Sequence, residues 1–167
     1  MNISFIGIDN GVTGSIGILT PDARHFFRTP IKKEQSYTKK SQNISRIDVI
    51  ELERVLTSVL TGEFAVAMIE RPLVNPGMFK STLSAMRALE ATLCVLERMG
   101  IGLEYVDSKE WQKALLPQGI KGTPDLKAAS TDIGKRMYPA HSDTIDKQKD
   151  ADGLLIAHYL MTKYNQA

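Results

Sequence analysis

Three acids stand where the chain passes from apolar to polar. Asp9 follows the run Phe-Ile-Gly-Ile at 5–8, Glu70 closes the run Phe-Ala-Val-Ala-Met-Ile at 64–69, and Asp152 directly precedes Gly-Leu-Leu-Ile-Ala at 153–157. A carboxylate carried to the edge of a core costs several kcal/mol unless a cation meets it, and carboxylates that share a place repel one another. Divalent cations relieve both penalties. Magnesium takes oxygen ligands and keeps waters or substrate phosphates in its remaining positions. Two such ions roughly 4 Å apart suit phosphodiester hydrolysis, one activating water and the other stabilising the leaving oxygen. Plainer readings exist for each acid: Asp9 capping its turn, Glu70 pairing with Arg71, and Asp150 and Asp152 sitting at a favourable helix start. The helix dipole does not account for a wholly apolar stretch immediately after Asp152.

Cations are distributed to suit a polyanion. Residues 31–46 hold Lys32, Lys33, Lys39, Lys40 and Arg46 against one acid, Glu34. With no clear period, this stretch is expected to be a mobile basic loop, either simply solvated or touching a phosphate backbone. Met78, Phe79 and Lys80 follow the turn Asn75-Pro76-Gly77, as core anchors or as a wedge stacking on unpaired bases. Lys121 lies in a glycine-rich turn, and Lys127 lies on the helix that follows. A helix start beside a lysine is a reasonable anion site; solubility alone explains the same residues.

The elements that must position these groups alternate between strand and helix. A hairpin is expected over 3–19, turning at Asn10-Gly11 and Gly14, with a third strand over 24–28. A helix follows over 48–60, with Ile50, Leu52, Val55, Leu56, Val59 and Leu60 on its apolar face and Thr61-Gly62 ending it. The run at 64–69 suits a buried parallel strand. A largely buried helix is expected over 81–99, capped by Gly100 and carrying Leu83, Met86, Leu89, Leu93 and Leu96. A strand over 101–106 leads to Asp107, expected to cap a helix over 109–116. A helix to about 137 and a buried helix from about 153 complete the chain.

Bulk properties exclude several classes. The chain has 167 residues, 43% of them hydrophobic and 24% charged, with a net charge of +2. That fits one domain over 1–167 with a real core. The single cysteine, Cys94, excludes an internal disulfide and a cysteine-cluster zinc site, and its apolar surroundings predict a buried thiol. With no bilayer-length apolar run and no signal-peptide layout, the expected location is the cytoplasm, of a cell or of a host.

The order of elements resembles the ribonuclease H-like α/β fold, a mixed five-stranded sheet flanked by helices. Within it, Ile6-Gly7-Ile8-Asp9-Asn10-Gly11-Val12-Thr13-Gly14, Ile69-Glu70-Arg71-Pro72 and Ala151-Asp152-Gly153-Leu154-Leu155-Ile156-Ala157 resemble the RuvC-type Holliday junction resolvases. Ser108-Lys109-Glu110-Trp111-Gln112-Lys113, Leu116-Pro117-Gln118-Gly119-Ile120-Lys121-Gly122 and Lys127-Ala128-Ala129-Ser130 are similar to the branch found in phages and chloroplasts. The resemblance implies a homodimer that nicks four-way DNA junctions in pairs, using two Mg2+ ions per site (Mn2+ substituting) and leaving 5′-phosphate and 3′-hydroxyl ends. By motif it assigns metal ligation to Asp9, Glu70 and Asp152. From their placement, Lys32, Lys33, Lys39, Lys40, Lys80, Lys121 and Lys127 are then expected on the DNA backbone, Met78 and Phe79 as candidates for a wedge, and the apolar helix over 81–99 at the dimer contact.

The fourth acid departs from the family pattern. Its usual places, three or four residues before the last Asp, hold Lys149 and Gln148 here. Asp150 is the nearest substitute, and Asp146 reaches in only if the helix starts late. On one regular helix Asp150 and Asp152 point about 200° apart, so either the helix begins near Asp152 or the second ion is held weakly. Lys149 is the other candidate, touching the scissile phosphate or replacing a metal charge. Three rivals stay open: a nuclease of flap or other branched DNA, or of RNA; a junction-binding module that does not cut; and an actin-like ATPase or sugar-kinase lobe. The last shares Asp9, Gly11 and Thr13 as an Asp-x-Gly-x-Thr phosphate signature.

Overall fold

A computed structural model describes residues 2–60 and 64–166; Thr61-Gly62, read above as a helix stop, lies outside them. The main sheet is built from β1 (Ile3–Ile8), β2 (Ser15–Leu19), β3 (Arg24–Arg28), β6 (Phe64–Glu70) and β7 (Gly102–Val106), in the order β3-β2-β1-β6-β7. The first three strands are antiparallel neighbours, and β6 and β7 run parallel to β1.

Side-chain alternation along each strand sorts two cores. Ile6, Ile8, Ile16, Ile18, Ala67 and Ile69 face one side, where α1 (Val49–Val59) and α2 (Phe79–Arg98) deliver Leu52, Leu56, Leu89 and Leu96. Phe5, Leu19, Val66 and Met68 face the other, against α3 (Ser108–Leu115) and α6 (Asp152–Gln166), which bring Trp111, Leu154, Leu155 and Ile156. Between them α4 (Thr123–Met137) and α5 (Ser142–Gln148) close the second face.

The same parity places the acids. Ile8 pairs with Ile69 across parallel strands, so Asp9 and Glu70, one residue further along each, project together on the α6 side. The helix α6 approaches those strands at backbone distance, which glycine allows. A Cβ on Gly7 would lie 2.1 Å from the Ala157 nitrogen, and one on Gly153 would lie 2.7 Å from the Ser15 carbonyl oxygen. The Gly153 N–H donates to Ser15 Oγ at 3.1 Å, fixing the first turn of the helix onto β2.

Several expectations change. The basic stretch is not a loop but an antiparallel ribbon, β4 (Ile31–Gln35) with β5 (Asn43–Ile47). Its alternation is carried by long-stemmed Lys, Glu and Gln rather than by apolar residues, so hydrophobic period alone misses it. Glu34 accepts from Lys32 at 2.8 Å and from Arg46 at 2.5 Å, holding the ribbon's charges in register. Ile50 and Leu83 are exposed rather than buried, because α1 and α2 each pack one face only. Cys94 is exposed on α2 for the same reason. The Asp107 carboxylate does not cap α3; it pairs with Arg71 at 3.4 Å, while its carbonyl accepts the Glu110 N–H.

Candidate metal centre

Four carboxylates meet at the carboxyl ends of β1 and β6. Oxygens of Asp9, Asp150 and Asp152 lie within 4.8 Å of one another, and the Asp150 and Asp152 charges both act on Glu70. A helix break separates Asp150 from the helix that begins at Asp152. After α5, Lys149 takes the left-handed conformation at φ 54°, and α6 starts afresh at Asp152. Asp150 and Asp152 therefore do not share one helix and are free to converge. Asp150 is 5% exposed, and its Oδ1 accepts the Asp152 N–H at 2.8 Å, so it also ties down the first turn of α6.

Glu70 and Asp152 each have a fixed side-chain partner. Glu70 Oε2 accepts from the Trp111 Nε1–H at 2.7 Å. Asp152 Oδ1 accepts from the Ser130 hydroxyl, carried on α4. Sequence spacing alone gives neither partner a role at the site. A signal existed for both: a buried tryptophan needs an acceptor for its N–H, and Lys127 and Ser130, three residues apart, share a helix face.

Burial dominates the electrostatics. It pushes Asp9 well above the usual carboxylate range, with Asp150, Asp152 and Glu70 adding repulsion. Burial likewise raises Glu70 to about 7, against the opposing Trp111 hydrogen bond, with further repulsion from Asp152 and Asp150. Asp152 is raised to about 6 by burial and then by the Asp150 charge, with Ser130 and Lys127 opposing. Lys127 favours the charged forms of Asp9, Glu70 and Asp152 alike. One exposed lysine does not balance four acids. The group is all oxygen, without histidine or cysteine, and Asn10 beside it has a buried side-chain oxygen with no hydrogen-bond partner. Such a donor set fits a hard divalent cation such as Mg2+ or Mn2+.

The other candidates lie around this centre. Lys149 is exposed and lines a hollow beside Lys127 and Lys135, outside the group of mutually close acids. Asp146 pairs with Lys135 at 2.9 Å and stays out as well. A second hollow of about 210 Å³ runs from Asn10 and Glu70 to Met78. Met78 and Phe79, 54% and 70% exposed, are no core anchors. Lys80 and Lys121 are exposed, as are Lys39 and Lys40 between the ribbon strands, whereas Lys32 is engaged with Glu34.

An α/β protein with a mixed five-stranded sheet and acids gathered at its strand ends has the architecture of ribonuclease H-like folds. A solved structure agrees. The chain is similar to T. thermophilus RuvC in complex with Holliday junction substrate, with a TM-score of 0.55 and 13% identity over 93% of this chain and 90% of that one. The Thermus thermophilus RuvC structure also aligns, with a TM-score of 0.48 and 14% identity over 94% and 91% of the two chains. The first likeness establishes the fold. No family model and no curated protein matches the sequence.

Proposed function

We propose that the chain is a metal-dependent endonuclease of one domain over 1–167 that resolves four-way DNA junctions as a homodimer in the cytoplasm of a cell or host. The carrying observation is the meeting of Asp9, Asp150 and Asp152, with Glu70 beside them, in a fold shared with a protein solved on a Holliday junction.

In this reading Asp9, Glu70, Asp150 and Asp152 hold Mg2+ or Mn2+. Bound there, two ions supply Lewis acidity that makes water a nucleophile at neutral pH and neutralises the departing 3′ oxygen, leaving a 5′ phosphate. Asp150 and Ser130 fix Asp152, so that carboxylate is oriented before substrate arrives. Lys127, which already acts on three of the acids, meets the phosphate at the reacting strand, and Lys149 extends the cationic wall beside it. Lys32, Lys33, Lys39, Lys40, Lys80 and Lys121 follow the flanking backbone, and Met78 with Phe79 enters the open centre of the junction. The partly exposed face of α2 is the dimer contact, because an isologous pair sets two sites symmetrically.

Asp9→Asn should abolish nicking of a synthetic four-way junction in Mg2+ while leaving junction binding nearly intact; undiminished nicking rejects the metal assignment. Junction, flap, duplex and RNA substrates assayed together separate a resolvase from a broader nuclease. Junction binding without nicking points to the non-cutting module, and calorimetric ATP binding to the kinase-like rival.

A further inference from the structure

Trp111 is the one tryptophan of the chain. It is fully buried in the core beneath α6, in a helix whose other residues are half-buried or exposed. Its indole N–H is directed at Glu70 Oε2, 2.7 Å away. Glu70 is also the acid that needs aiming, since it falls outside the set whose oxygens all lie within 4.8 Å. Its sequence neighbour Arg71 is drawn elsewhere, 3.4 Å from Asp107 and stacked on the Tyr105 ring. The only side-chain hydrogen bond to Glu70 among the described residues is thus a neutral one. A neutral donor orients a carboxylate without neutralising it; a lysine or arginine in that place would compete with a metal ion for the same charge.

We propose that Trp111 is a positioning residue for the metal centre, its N–H pinning one oxygen of Glu70 so that the other is presented to a divalent cation shared with Asp9, Asp150 and Asp152. This rests on the metal-dependent reading above, and it adds a consequence. Because the positioning group is the sole indole, its fluorescence reports ion binding at Glu70 directly.

The test is Mn2+ binding to the whole chain without DNA, followed by the electron paramagnetic resonance of the free ion, for wild type and Trp111→Phe. Phenylalanine keeps much of the packing and deletes the N–H. Loss of such an outer partner typically weakens metal affinity by about 10- to 100-fold, and that is the expected change in a variant whose circular dichroism remains native. If the folded variant binds Mn2+ as tightly as wild type, the positioning role is overturned and the metal reading stands. If wild type itself takes up no Mn2+, both fall. Should the variant not fold, wild-type emission decides. Diamagnetic Mg2+ should change it saturably, and Glu70→Gln should lose that response. Emission indifferent to a saturating ion overturns the proposal.

Discussion

The carboxylate of Asp150 answers to two neighbours, the amide of Asp152 and the other acids of the centre. Those roles separate by substitution, because an asparagine oxygen still accepts an N–H but carries no charge. Asp150→Asn should melt no lower than wild type, since it keeps the hydrogen bond and removes a repelling charge, while nicking falls by about 10- to 100-fold or more; parallel thermal melts and junction assays check this. Asp9, Glu70 and Asp152 were legible in the sequence because each interrupts an apolar run. Asp150 was only half legible. Its value depends on the left-handed backbone at Lys149, and a lysine does not advertise that conformation as a glycine would. Trp111 and Ser130 were legible only indirectly, through an indole that needs an acceptor and a helix face shared with Lys127, since a hydrogen bond between elements leaves no spacing in the chain.

At the scale of elements, strand parity and two close approaches assemble the site. Residues 5, 7 and 9 share a face, so the glycine at 7 that admits α6 and the acid at 9 are parts of one pattern. Gly7→Ala would set a Cβ 2.1 Å from the Ala157 nitrogen. Backbone cannot yield as a flexible side chain does, so this overpacking should cost about 3 kcal/mol or more, read as a shift in the urea midpoint. The main sheet was legible because its strands are apolar and its helices are periodic. The β4–β5 ribbon was not, because its order comes from Glu34 bridging Lys32 and Arg46 and from the guanidinium groups of Arg46 and Arg87 placed over the Tyr37 ring, contacts made by polar side chains.

Over the whole molecule, the acids set a balance between stability and readiness to bind metal. Glu70 and Asp152 titrate at about 7 and about 6 when folded, above their ordinary values. The folded chain therefore holds more protons than the unfolded chain between about pH 4 and pH 7, and its stability must fall as pH rises through that window. Glu70 alone contributes a loss of on the order of 3 kcal/mol. In EDTA the melting temperature should be lower at pH 8 than at pH 5, and Mn2+ should restore it at pH 8 only; a flat profile in EDTA contradicts the buried acid cluster. Far from the acids, Lys39→Ala and Lys40→Ala should each weaken DNA binding across sequences and reduce the slope of log affinity against log salt by about 1, measured by fluorescence anisotropy.

The late position of α6 has a bearing on synthesis. Two of the four acids, Asp150 and Asp152, arrive with a segment that docks only after β1, β2 and β6 are in place for it to press against. A growing polypeptide bearing Asp9 and Glu70 consequently holds only half of the acid centre. The four acids come together only when α6 seats its glycine against the first hairpin.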